Sequence, residues 1–294
     1  TSAEGNNLIL TITGTPNEYL SACTGVSVDL SSATNWLVYQ SGSWVPASSA
    51  PSSLNSGTVV IQSPDTCVNA SAATINAGVI VIDSAATLTA SNTLRNNGKI
   101  VFAGKVAQTV PGASSLYGGT WGTIEVNNNN GVTSTQSSAS SFMHIGKATL
   151  TSGTFTATAS AGKSVSLYID SSVTASGGNL NIINAATNYG FFLDGKSTQS
   201  FASGTFLNNT VYALFIQNSA GLIYNGPLTI SNNLHISFAS TVNVSGNLSL
   251  NGVTLDTLTI PAPVQTGGSA TVTGVLSVGK FRTVPYLGQT FIIV

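Results

Sequence analysis

The groups that could do acid–base, metal or thiol chemistry are few: nine carboxylates, two histidines and two cysteines. The acids are Glu4, Glu18, Asp29, Asp65, Asp83, Glu125, Asp170, Asp194 and Asp256, and no two lie within ten residues of each other. Glycoside hydrolysis needs two carboxyl groups flanking one bond, and a lyase-type site needs a cluster of acids around a cation. Asp170 and Asp194 form the one pair whose separation in sequence approaches a single turn of a coiled sheet. All nine acids, this pair included, are expected to be isolated turn residues. His144 sits between Met143 and Ile145, and His235 between Leu234 and Ile236. Strand alternation points both rings outward. A metal site would need further ligands beside them, so none is expected. There is no Gly-x-Ser-x-Gly elbow, no Walker-type glycine loop and no histidine near either cysteine. The expectation is no enzyme, no catalytic residues, no metal and no cofactor.

Charge is the most unusual feature. Charged residues make up 6 % of the chain, against about 25 % for ordinary soluble domains. Lys and Arg total 8, Asp and Glu 9, and the formal net charge is −1. Neutralising a phosphate backbone needs clustered cations, so a nucleic-acid partner is excluded. No apolar run reaches the ~20 residues that span a bilayer as a helix. A surface with so few charges repels its own copies weakly, which favours self-association. Cys23 and Cys67 allow one pairing, a disulfide in an oxidising compartment that would contribute about 4 kcal/mol; two unpaired buried thiols are the alternative. With its first residue Thr1 and no leader-like segment, the sequence reads as a mature, processed protein.

These side chains must be positioned by strands. In residues 228–260 the apolar pairs Leu228/Ile230, Leu234/Ile236, Val242/Val244, Leu248/Leu250 and Leu258/Ile260 each have a spacing of two. That places each pair on one face of a strand. Successive pairs start too close together for helices between them, and Asn, Gly and Ser clusters mark the turns. The pattern predicts an all-β fold, a parallel β-solenoid (β-helix) whose rungs stack about 4.8 Å apart. An antiparallel sandwich is the rival, but it would need longer strands and more even hairpins.

Residues 1–57 stand apart. They hold Trp36, Trp44, Tyr19 and Tyr39, and 35–45 reads as a hairpin turning at Ser41-Gly42. This stretch is expected to form an N-terminal cap or small β subdomain. Residues 58–260 form the solenoid, and 261–294 a C-terminal β segment. Within the solenoid two blocks, about 98–150 and 190–236, repeat. Gly104, Lys105 and Gln108 recur as Gly195, Lys196 and Gln199, 91 residues on; TIEVNNNNGV recurs as ALFIQNSAGL with a shift of 90. A block of about 90 residues corresponds to four turns. The terminal apolar strands, with Leu8, Ile9, Leu10 and Ile12 at one end and Phe291, Ile292, Ile293 and Val294 at the other, are assembly strands that add to a neighbour's open sheet, or else cap their own solenoid.

The run from Trp36 through Trp44 and Pro51 to Val59, followed by Leu88, Leu94, Asn96, Asn97, Gly98, Ile100, Phe102, Gln108 and Gly112, resembles the β-helical repeat regions of secreted surface proteins of Bacteroidetes-type bacteria. The likeness covers roughly residues 35–260. It implies an adhesin stalk, surface fibre or passenger rod outside the cell or at its surface. The C-terminal sorting domain usual in that group is not recognisable before GQTFIIV. The group's O-glycan acceptor pattern falls on Asp83-Ser84-Ala85 and Asp256-Thr257-Leu258, which implies Ser84 and Thr257 as attachment points. Asn-x-Ser/Thr sequons add Asn69, Asn208, Asn243 and Asn247.

The function expected is a structural subunit of an extracellular filament, fibre or surface layer, partnered by copies of itself. The alternative is a cell-surface adhesin or glycan-binding module. In that case Trp121, Tyr117, Tyr189, Tyr212 or Tyr224 would stack on sugars rather than pack under loops. A polysaccharide lyase or hydrolase is the least expected reading. It would need two carboxylates about 5–9 Å apart in a groove.

Overall fold

The computed structural model describes residues 18–278, apart from 23–24, 26, 52–56, 70–72, 76–77, 84, 91–93, 97, 111–119, 137–139, 184–188, 237–240, 247, 251–253, 256–268 and 273–275. The chain is a parallel β-solenoid, and among the described residues there is no α-helix. Alternation creates the rungs. Thr58–Ile61, Val79–Asp83 and Lys99–Ala103 each bury every second side chain. Parallel pairing then stacks like on like. Val59, Ile80, Ile100, Ile124, Ala148 and Val173 form one inward column over six rungs, and Ile61, Ile82, Phe102, Val126, Leu150 and Ala175 form its neighbour. The register is tightly specified, because a slip of one residue would turn a whole apolar set toward solvent.

Other faces repeat the arrangement. Val132, Phe155 and Leu180 stack on one, and Phe206 continues the column through an isolated bridge. Met143, Leu167, Phe191, Leu214 and Leu234 stack on another, and the backbone of Leu255 pairs next in register. The 20-residue strand Ser140–Ala159 runs round two corners, so that it pairs in more than one face. Gly153 makes one corner at φ 74°, where a Cβ would meet the Asn128 carbonyl oxygen at 1.8 Å. Only glycine fits there.

Residues 35–45 fold as expected. Trp36–Gln40 and Ser43–Pro46 pair antiparallel about Ser41 (φ 51°) and Gly42 (φ 84°), a two-residue turn with both centres left-handed. The hairpin joins the solenoid through Tyr19–Ser21, which pairs antiparallel with Trp36–Gln40 and parallel with Thr58–Ile61. At the other end, parallel pairing runs past residue 260: Thr241 aligns with Ser269 and Leu248 with Leu276.

The tandem blocks have a physical basis in a buried amide corner. Gln108 donates from Nε2 to the Ile82 carbonyl, while its Oε1 accepts from the Gly104 amide and from Asn128 Nδ2. Gln199 repeats this with Ile169, Gly195 and Asn218. Asn128 and Asn218 each bend the chain by accepting an amide two residues on, from Asn130 and Ala220. Where the chain turns between faces, ladder bonds run out. These amides satisfy the carbonyls and amides left over.

Candidate functional site

Outward-facing positions next to the Ile145, Ile169, Leu193 and Ile216 column carry the most chemistry. Parallel register places His144, Tyr168, Phe192, Phe215 and His235 directly over one another. Their rings form a ladder. Centroids are 4.4 Å apart for His144–Tyr168, 4.5 Å for Tyr168–Phe192 and 4.2 Å for Phe192–Phe215, with interplanar angles of 18°, 17° and 4°. His235 closes the column at 5.9 Å and 36°. The two histidines, far apart in sequence, are thus the two ends of one stack. They face outward as alternation predicts. His235 is nevertheless 7 % exposed. Phe192 and Phe215 with Ala213 make a second apolar cluster outside the main core, flanked by Tyr168 and Tyr212.

One step further along each strand lies a polar column. Asp170 follows Ile169 and Asp194 follows Leu193; the amide of Asp170 donates to the Ile145 carbonyl and that of Asp194 to Ile169. On the rung below, the matching position is Gly146, which follows Ile145. No side chain fills that place, and His144 Nδ1 reaches Asp170 Oδ1 at 3.4 Å. Ligand atoms of His144, Asp170 and Asp194 all lie within 4.8 Å of one another. The structure therefore brings the one acid pair of near-turn spacing side by side and adds His144 to it. This corrects the expectation of isolated turn acids at these two positions. Parallel register converts a separation of one rung along the chain into direct adjacency.

The electrostatics follow from this crowding. Burial, then the neighbouring Asp170 carboxylate, pushes the Asp194 carboxyl up to about 6. Its Oδ1 is shut off from solvent and accepts no hydrogen bond. The hydrogen bond to Asp170, reinforced by the charges of both aspartates against the opposing effect of burial, raises the His144 imidazole above its ordinary value. Burial and then the charge of Asp194 raise the Tyr168 phenol. Two facing carboxylates cannot both stay charged at low cost without a proton or a cation between them. They are also too close for a sugar to lie between acid and nucleophile, which takes about 5 Å or more. Neither of two surface grooves, about 240 Å³ beside Asn181, Asn208 and Tyr212 and about 350 Å³ beside Lys105, Asn127 and Asn130, includes them.

Other expected residues fall elsewhere. Asn208 is exposed in a turn at φ 55°, and Asn243 is exposed on the strand Thr241–Val244. Asn69 lies on the strand Thr66–Asn69, with its side chain outside the described set. Ser84, Asn247 and Thr257 lie outside the described residues, as do Leu8, Ile9, Leu10 and Ile12 and Phe291, Ile292, Ile293 and Val294. Cys67 is buried on the inner face, and burial first, then Asp29, drives its thiol pKa far up. Its expected partner Cys23 is outside the described residues. Tyr224 is buried, its hydroxyl donating to Asn209 Oδ1 at 2.8 Å, and Tyr189 and Tyr212 are half-buried. Tyr117 and the side chain of Trp121 lie outside the described set.

Sequence reasoning missed the ring ladder, although its signal is present. His144, Tyr168, Phe192 and Phe215 recur at nearly constant intervals along the chain, each close to one rung in length. No helix of the described residues is long and apolar enough to cross a membrane. No family model matches the chain, and no match was found among curated proteins or solved structures.

Proposed function

We propose that the chain is a structural subunit of an extracellular or cell-surface filament, fibre or layer. The observation that carries this reading is the parallel stacking of rungs through the described residues, in a chain only 6 % charged. The ring ladder supports it. Aromatic faces that could have stacked on a ligand are spent on one another, which adds about 0.5–1.5 kcal/mol per pair beyond area burial. The last rung of any solenoid presents unpaired backbone donors and acceptors, and with few charges nothing repels a second copy. A head-to-tail contact of this kind propagates unless its rotation closes. The terminal apolar segments enter the proposal through their sequence alone.

Electron microscopy and sedimentation of the purified chain, across salt and concentration, test the reading. Filaments or ordered sheets with a repeat set by the rod length are expected. Monodisperse single rods under every condition would sink it.

A further inference from the structure

The geometry points to His144, Asp170 and Asp194 as a site for one divalent transition-metal ion of the Zn²⁺ class on the outer face of the solenoid. Three ligands of two kinds come from three successive rungs, and their atoms already lie within 4.8 Å of one another. Bound at about 2.0–2.2 Å each, tetrahedral ligands sit some 3.3–3.6 Å apart. Closing the difference takes side-chain movements of about 1 Å.

Four features make this more than a chance meeting of polar groups. Gly146 leaves open the place beneath Asp170 that a side chain would otherwise take, so the imidazole can lean in. Stacking on Tyr168 at 4.4 Å fixes the plane of the His144 ring, the orienting task that outer partners perform at metal centres. Asp194 Oδ1 is buried without a donor; leaving such an atom unmatched is costly, and a cation answers it. The charges acting on Asp194 are those of Asp170 and His144, with no lysine or arginine among them. With both carboxylates ionised and the imidazole neutral, the site carries −2 and a divalent ion balances it. The nitrogen ligand selects Zn²⁺, Co²⁺ or Ni²⁺ over Ca²⁺ and Mg²⁺, which prefer oxygen alone. Three protein ligands leave a further position for water or for a group from another copy.

The test is titration of the full, untagged, chelator-stripped chain with ZnCl₂ at neutral pH by calorimetry, and with CoCl₂ by visible absorption. One ion per chain is expected, with Co²⁺ bands of a low-coordinate nitrogen–oxygen site. Asp194→Asn and His144→Gln should each weaken binding by about ten-fold or more. Asp83→Asn, at an exposed acid elsewhere, should leave it unchanged. Circular dichroism of each variant establishes that the fold is kept. Should His144→Gln fail to fold, the near-isosteric Asp194→Asn decides alone. No saturable Zn²⁺ or Co²⁺ binding, binding untouched by these substitutions, or preference for Ca²⁺ would each overturn the assignment.

Discussion

Gln108 and Gln199, 91 residues apart, make the same three hydrogen-bond types: to a carbonyl on an earlier rung, from a glycine amide four residues back, and from an asparagine amide on the next rung. Gln199 adds a fourth, donating to the Ser171 carbonyl at 2.7 Å. Both side chains are 2 % exposed. Replacing Gln199 with Leu would keep the volume and strand several buried partners at once, each worth about 1–3 kcal/mol. Gln199→Leu is therefore expected to destabilise by at least about 2 kcal/mol, and Gln108→Leu by a similar amount. Denaturant unfolding of each variant checks this; a loss below about 1 kcal/mol for both would show that the corner amides are dispensable.

The ring ladder should be a cooperative unit. Phe192 stacks on Tyr168 below and Phe215 above. Phe192→Ala should cost about 3 kcal/mol, from lost burial and the gap left behind. Phe192→Leu, which retains most of the apolar area, should cost about 1 kcal/mol for the stacking alone. A double-mutant cycle of Phe192→Leu with Phe215→Leu isolates the ring–ring term. A coupling energy indistinguishable from zero would reduce the ladder to ordinary burial.

The inner face of this molecule is readable from sequence, and the outer face is not. Val59, Ile80 and Ile100 announce themselves by local alternation, because the periodicity of a strand is visible within a few residues. The blocks at 98–150 and 190–236 are also visible, since Gln108 and Gln199 recur with their glycines. The cluster of His144, Asp170 and Asp194 depends instead on which residue lies over which, and rung lengths here vary: the step from Phe215 to His235 is shorter than the step from Phe192 to Phe215. A small uncertainty at each corner is enough to hide a column, because the turns absorb insertions without changing the strand pattern. Asp170 and Asp194 could be paired on spacing alone. His144 could not, because it joins them from the neighbouring column across Gly146.

Metal-free protein should lose stability as pH rises through the weakly acidic range. The Asp194 carboxyl is pushed up to about 6 from 3.8, so between those values the folded state binds more protons than the unfolded. Its contribution is fully present below about pH 4 and is lost as pH climbs through 6. The imidazole of His144 is also raised, so its contribution is present below pH 6.5 and lost above. Both trends have the same sign. In chelator, wild-type stability measured against the Asp194→Asn variant should fall across pH 4–6. A flat difference across that range, or one of opposite slope, would contradict the crowded carboxylate pair.

Close approach of consecutive rungs sets the last expectation. Lys99 donates its amide to the Gly78 carbonyl at 2.9 Å, and Thr123 donates to Gly98 at 2.9 Å, so the two glycines continue the parallel ladder at a corner. A Cβ on Gly98 would lie 1.9 Å from the Gly78 oxygen. That atom is backbone, held by the rungs on either side, and it cannot swing aside as a side-chain tip would. Gly98→Ala must then push two rungs apart locally or break the Gly78–Lys99 bond, and either breach opens the columns through Ile80, Ile100 and Ile124. The expected outcome is a loss of about 3 kcal/mol or more, with faster amide hydrogen exchange centred on Val79–Asp83 and Lys99–Ala103 and little change beyond Leu222–Asn225. The control is Gly162→Ala, at a turn with φ 71° and no atom within 4 Å, where the cost is backbone strain of about 1 kcal/mol. If the two variants prove equally stable, rung stacking at Gly78 and Gly98 is looser than the geometry requires.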